Sequence, residues 1–386
     1  MSGGGPAADA AGNIYVATGN SLPSPDSEDG TLSYGDSLLK LPPPVVGKAW
    51  ALSSFFTPWN GAALNQGDLD LGSGGVLLLP QLPTGQPHPS RLIQAGKIGW
   101  IEVADQASLG GFCSACTSTD TNIVQEIQGQ LQFGVWGYPT YWNGQVYLGA
   151  AGAHLKTFSF NTTTGSVSTS PIAQTAMSFG GSGGGPSMNT SVSSSGTSNG
   201  IVWGLDGTTG VLYAFNASNL TEYYNSNQAP NNRDLLSGPV KFLAPTVANG
   251  LVYVGSNGQF GIYGLLPFGS LSSTALDFGT FTSSSSFPKS ESVTLTNTGE
   301  GAFTVSQVAV VPGNSNLFQI TAQNCTGSFA PNASCSVTVT FETHSAENSN
   351  NGLNTATLVI TDTASNNPQD VALTATFSCP GGQCQK

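Results

Sequence analysis

One pattern of apolar and polar positions recurs through the first two thirds of the chain. A Gly or Pro opens it, a short alternating strand with an aromatic follows, then a Gly and a second apolar strand. Gly4-Gly5-Pro6 leads to Ile14-Tyr15-Val16-Ala17 and then Leu38-Leu39-Lys40-Leu41. Tyr138-Pro139-Thr140 leads to Gln145-Val146-Tyr147-Leu148-Gly149 and then Leu155-Lys156-Thr157-Phe158. Gly185-Pro186-Ser187 leads to Ile201-Val202-Trp203-Gly204 and then Val211-Leu212-Tyr213-Ala214-Phe215. Ala244-Pro245-Thr246 leads to Leu251-Val252-Tyr253-Val254-Gly255 and then Phe260-Gly261-Ile262-Tyr263. A looser copy runs from Gly74 to Asp105. Period-two alternation predicts strands, and Asn143-Gly144, Asn199-Gly200 and Asn249-Gly250 predict the tight turns of hairpins.

Copies fall roughly 45–70 residues apart, the length of a unit of four short antiparallel strands, which is the unit of a β-propeller. The stretch 1–266 resembles the quinoprotein alcohol dehydrogenase-like (pyrroloquinoline quinone type) β-propeller family. The resemblance rests most on Gly250-Leu251-Val252-Tyr253-Val254-Gly255 and on Asp206-Gly207-Thr208-Thr209-Gly210-Val211-Leu212-Tyr213. The copies count to about five blades, fewer than the family's usual seven or eight, so a partial propeller is expected. Either it is N-terminally truncated, leaving two open sheet edges, or its blades close imperfectly.

After Leu266 the pattern changes. Trp disappears, Ser and Thr increase, and a turn-rich linker, Pro267–Ser273, precedes seven short strands. They are expected over Ala275–Phe278, Glu291–Asn297, Phe303–Val311, Leu317–Ala322, Cys335–Phe341, Thr355–Thr361 and Val371–Phe377. Such a series predicts an immunoglobulin-like β-sandwich over 270–378, followed by a short tail, 379–386. Leu276-Asp277-Phe278-Gly279, Val293-Thr294-Leu295-Thr296-Asn297-Thr298-Gly299 and Asn324-Cys325 resemble the Hydin-type (ASH, choice-of-anchor D) immunoglobulin-like family. That resemblance implies a spacer or interaction module without catalytic residues. The whole chain is therefore expected to be all-β.

Charge narrows the function. Net charge is −12 with 9 Lys+Arg in 386 residues. Nucleic-acid binding needs a basic face, so it is not expected. No apolar run is long enough for a transmembrane helix. The start, Met1–Pro6, lacks the basic and apolar regions of a signal peptide. Yet six Cys fall in three close pairs, Cys113/Cys116, Cys325/Cys335 and Cys379/Cys384, which suits disulfides in an oxidising compartment. An extracellular, periplasmic or cell-surface location is expected, with the export signal outside this sequence. For Cys113/Cys116 a loop disulfide, free thiols and redox or metal chemistry all remain open at this stage.

The quinoprotein resemblance also points to a site. Asp68 and Asp70 lie in Gly67-Asp68-Leu69-Asp70-Leu71-Gly72-Ser73, similar to the stretch where that family places its catalytic base. Asp70 would be the base and Asp68 its neighbour, with pyrroloquinoline quinone and calcium as cofactors. The alternative is that both carboxylates bond backbone amides at a turn. Glu28/Asp29 form a second acidic pair, and His88 and His154 read as surface or satisfied residues. The leading expectation is an exported, non-catalytic binding or structural protein with an unknown protein or carbohydrate ligand and no resident cofactor. A quinone-dependent alcohol or sugar dehydrogenase with an incomplete site is the alternative.

Overall fold

The computed structural model describes residues 4–21, 34–180, 187–229, 232–282, 288–311, 316–342 and 351–378. Cys379, Cys384, the tail they sit in, and Glu28/Asp29 lie outside the described residues. The structure is all-β, with one short helix and isolated helical turns among the described residues, and the chain divides into two compact units, Met1–Tyr263 and Gly264–Lys386.

Among the described residues, the first unit holds five sheets laid down in chain order. The first contains β1 (Ala7–Ala8), β2 (Ile14–Ala17), β3 (Leu38–Leu41) and β4 (Ser54–Thr57). The second contains β5 (Val76–Leu78), β6 (Arg91–Ala95), β7 (Ile101–Asp105) and β9 (Gln125–Ile127). Between β7 and β9 the chain leaves its own sheet, and β8 (Gly111–Phe112) pairs in parallel with β4, Phe56 opposite Gly111. The third sheet is β10 (Thr140–Trp142), β11 (Gln145–Gly149), β12 (Ala153–Ser159) and β13 (Ala173–Phe179). The fourth is β14 (Met188–Ser195), β15 (Ser198–Asp206), β16 (Leu212–Asn216) and β17 (Glu222–Asn225). The fifth has three strands, β18 (Thr246–Ala248), β19 (Leu251–Ser256) and β20 (Gln259–Tyr263).

Turn chemistry sets these hairpins. Asn143 (φ 46°) and Gly144 (φ 78°) both take positive φ between Trp142 and Gln145, as a two-residue primed turn requires. Asn249-Gly250 does the same between β18 and β19. Asn199-Gly200 departs from the expectation: it lies inside β15, and the turn falls at Gly196-Thr197. Here glycine is needed for space, because a Cβ on Gly200 would stand 2.7 Å from the Trp142 ring. Outer hairpins share another device. Asp206, Asn161 and Asn216 each accept the amide two residues on, at 2.9, 2.9 and 2.8 Å.

Alternation puts one face of each sheet against its neighbour. Tyr15, Leu38 and Phe56 of the first sheet pack with Val76, Leu92 and Ala104 of the second. Ile93 and Val103 pack with Val146 and Phe158. Tyr147 and Leu155 pack with Val202 and Phe215. Leu205 and Leu212 pack with Val252 and Val254. Four cores thus join successive sheets, and among the described residues none joins the fifth sheet to the first.

The second unit has two sheets around one core. One is ordered β21 (Gly269–Leu271), β23 (Lys289–Asn297), β27 (Ser334–Phe341), β25 (Phe318–Gln323). The other is ordered β22 (Ala275–Phe281), β29 (Gln369–Phe377), β28 (Gly352–Asp362), β24 (Phe303–Val311), β26 (Gly327–Phe329), with β22 and β29 parallel. Cys335, Val337 and Val339 point into the core, while Ser336 and Thr338 alternate outward. Ser290/Thr340, Ser292/Thr338 and Thr296/Ser334 face each other in register, with hydroxyl pairs at 2.8, 2.9 and 2.9 Å. The excess of Ser and Thr is therefore a cross-strand ladder. Two strands escape the sequence pattern, β21 and β26. The stretch read as a linker is partly β21, and its preceding carbonyls are also engaged. Leu266 O accepts the Glu300 amide at 3.0 Å and Pro267 O accepts that of Ser365 at 2.9 Å. These bonds explain why the second unit begins at Gly264.

Candidate functional site

Asp68 and Asp70 follow a single helical turn and a half, α1 (Gly61–Gln66), whose Leu64 is buried. Asp68 takes φ 53°, which swings the chain back toward the β6–β7 hairpin. That hairpin carries Lys97. Its ammonium donates to Asp70 Oδ2 at 2.5 Å, Asp68 Oδ2 at 3.1 Å and Asp68 O at 2.8 Å. Asn20 closes the other side, its amide on Asp70 Oδ1 at 2.8 Å and its side chain on Asp68 Oδ1 at 3.0 Å. Burial alone would raise the Asp70 carboxyl, but Lys97 and the Asn20 amide hold it below the usual carboxylate range.

A general base needs a free lone pair and a pKa near the working pH. Asp70 fails the second condition, its carboxyl held low by its pairing with Lys97, so the geometry is that of an ion-paired knot tying three stretches of chain. Both carboxylates do bond an amide group, but that of distant Asn20, and the Asp70 side chain caps no local helical turn.

The knot makes a testable ledger. Asp70 is lowered from 3.8, so its contribution is in place above that value and is lost as pH falls through the lower folded pKa. Lys97 is raised from 10.5 despite burial, by Asp70 and Asp68, so its contribution is in place below that value and is lost as pH rises through the folded pKa. Lys97→Met is expected to cost about 1–3 kcal/mol at pH 7 by leaving Asp70 unpaired. Denaturant unfolding followed by Trp fluorescence checks this. The deficit should narrow toward pH 3, and an equal deficit at both pH values would contradict the pairing.

A larger space lies elsewhere. The first strands of all five sheets converge on one cavity of about 690 Å³. Its walls include Val76 and Leu77, Tyr138 and Tyr141, Ser191, and Pro245 to Val247. Among the described residues no Asp, Glu, Lys, Arg or His lines it, and Asp68 and Asp70 are not part of its wall. Thr140 and Thr190 bond across its margin at 2.8 Å. Pyrroloquinoline quinone carries three carboxylates, and this wall holds no cation to meet them. Calcium needs a set of oxygen ligands, and Lys97 already takes those of the knot. Among the described residues no group of three or more His, Cys, Asp or Glu is placed to hold a metal. The residues present do not fit either group.

The cysteines are placed plainly. Cys113–Cys116 and Cys325–Cys335 are disulfides, and no free cysteine stands among the described residues. Cys325–Cys335 is buried in the second unit's core, whereas Cys113–Cys116 closes a surface turn beyond β8. His88 pairs with Asp105 at 2.8 Å and His154 with Thr175 O at 2.8 Å, both structural contacts.

Sequence reasoning missed one cluster. Glu102 on β7 is 1% exposed, faces Gln94 on β6 and Glu126 on β9, and has Asp120 nearby. Burial pushes the Glu102 carboxyl well up, and Glu126 and Asp120 push it further. Burial also raises Asp120; the Trp59 amide opposes this and Glu126 adds to it, leaving Asp120 at about 7. The available signal was one Glu inside the apolar run Ile101-Glu102-Val103-Ala104.

A comparison with family models finds no match, and none is found among curated proteins. Solved structures give distant likenesses. A secreted serine protease, VesC of Vibrio cholerae, aligns at 17% identity and TM-score 0.23, over 34% of this chain and 36% of that one. The computationally designed Ika8 protein aligns at 14% identity and TM-score 0.30, over 45% and 42%. The human CEP192 ASH/PapD-like domain aligns at 12% identity and TM-score 0.21, over 29% and 85%. This chain thus spans well under half the length of the first two, and scores at this level carry no functional argument.

Proposed function

We propose that this chain is an exported, non-catalytic binding or structural protein. The first unit is read as a quinoprotein-like partial propeller of five blades, and the second as a Hydin-type immunoglobulin-like spacer or docking module. Face-to-face packing of successive sheets and convergence of their first strands support the propeller reading. Two sheets on one core support the sandwich reading. Among the described residues, two disulfides and no helix long and apolar enough to cross a membrane are compatible with export.

The observation that carries the proposal is the uncharged cavity where five strands meet. Its Tyr, Thr, Ser and Pro walls suit a neutral ligand, such as a carbohydrate or an uncharged peptide segment, and its size is that of a ligand site. Lys97 pairs with both carboxylates that the dehydrogenase reading offered. Titration calorimetry of the full chain against neutral oligosaccharides and uncharged peptides tests binding, with Tyr141→Ala expected to weaken it at least tenfold. A separate assay supplies pyrroloquinoline quinone, calcium, alcohols or sugars, and a reducible dye. Sustained dye reduction above the protein-free rate would overturn the non-catalytic reading.

A further inference from the structure

The stretch from Leu109 to Asn122 leaves the second sheet, lies on the first, and returns. Phe56 and Thr57 pair with Gly111 and Phe112, and Ser54 Oγ accepts the Leu109 amide at 2.9 Å. Asn122 holds the bend, its side chain donating to Gly110 O and Gly111 O at 3.1 Å each. Cys113–Cys116 closes the outer turn. Asp120 makes the last attachment, accepting the Trp59 amide at 3.0 and 3.2 Å just ahead of α1.

Beneath that attachment lies the acidic layer. Glu126 Oε2 accepts the Asp120 amide at 3.1 Å, and Glu102 stands opposite Glu126 in register. The other groups shown against the layer are neutral: Gln94 from β6, the Trp59 amide from the segment before α1, and Gln128 just after β9, which donates to Glu126 Oε1. No Lys, Arg or His pairs with any of the three carboxylates among the described residues. Glu102 Oε2 and Gln94 Oε1 are buried acceptors without a partner, as is Asn60 Oδ1. Glu126 is served by the Asp120 amide and by Gln128 Nε2, so the shortage of donors and of countercharge falls on Glu102 and Asp120, and it favours their protonated forms.

We propose that Leu109–Asn122 is a proton-controlled strap between the first two sheets, held while Asp120 is protonated over the acidic layer and loosened as it ionises. The sign follows from the folded state binding protons that the released state gives up. Asp120 titrates at about 7 when held, against 3.8 when free. Holding is therefore strongest in acid, weakens as pH rises from about 4 to about 7, and then levels off. This is a regulatory feature independent of the ligand cavity.

Hydrogen exchange of the full chain, read on peptides covering 109–122 and corrected for intrinsic rates, tests it between pH 5 and 9. Strap protection should fall by up to tenfold per pH unit below about 7 and then flatten. Asp120→Asn keeps an acceptor for the Trp59 amide and should abolish the slope. Glu126→Gln removes the like charge and should move the break to lower pH. Asp70→Asn, outside the layer, should leave the slope unchanged. The proposal is overturned by a slope that survives in Asp120→Asn, or by an unmoved break in Glu126→Gln. It is equally overturned if millimolar calcium tightens the strap and a chelator loosens it, because the layer would then hold a cation.

Discussion

Replacing Phe341 with alanine is expected to destabilise the second unit by about 3–5 kcal/mol, the usual cost of emptying a buried aromatic position. Phe341 is fully buried at the end of β27. Its ring lies 4.9 Å from that of Phe318, 5.5 Å from Phe281 and 6.2 Å from Phe278. Those rings come from both sheets, so they cannot collapse onto the gap without moving a strand. The reading is unusually clean, because every Trp and Tyr of the chain precedes residue 264. Far-ultraviolet circular dichroism should lose stability in one of its transitions, while Trp fluorescence keeps its midpoint. A shifted Trp midpoint would show that the two units unfold together.

The second large effect is expected at Arg91. Its guanidinium is buried and donates to His88 O at 3.0 Å, Pro87 O at 3.2 Å, Thr164 O at 3.0 Å and Gly165 O. Two of these carbonyls lie in the loop before β6 and two in the loop between β12 and β13, so one side chain staples the second sheet to the third. Burial lowers the guanidinium pKa, opposed by Asp105, but it stays charged at any ordinary pH. Arg91→Ala should cost about 3 kcal/mol, since it strands several carbonyls around a cavity. Arg91→Lys should recover less than half of that, because an ammonium cannot fork between two loops. Chemical unfolding followed by Trp fluorescence reads both. A loss under 1 kcal/mol for alanine would mean that water replaces the guanidinium.

How far the sequence reveals this molecule depends on the range of each interaction. Asn143-Gly144 and Asn249-Gly250 announce their hairpins because the turn and the paired strands are adjacent in the chain. The Ser/Thr alternation of β27 likewise shows which residues face inward. Asn199-Gly200 has the same letters and no turn, since its glycine answers to the Trp142 ring, distant in sequence. β8 is two residues long and pairs in parallel across more than fifty residues, so no local pattern marks it. The stretch holding Asp68 and Asp70 admitted two readings, a catalytic base or carboxylates at a turn, and the Lys97 that pairs with both lies in the next hairpin, out of reach of a local pattern. The acidic layer needs the β7–β9 register, which a connection containing β8 conceals.

The four inter-sheet cores have one more consequence. Each couples a sheet only to its chain neighbours, and the weakest in apolar residues, around Leu205 and Val254, serves the fifth sheet alone. Cooperativity in such an arrangement passes from neighbour to neighbour, as in a repeat array. The interior sheets are clamped on both faces and the terminal sheets on one. Thermal fraying then has a direction, inward from β18–β20, and a perturbation at one end decays along the series before it reaches the other.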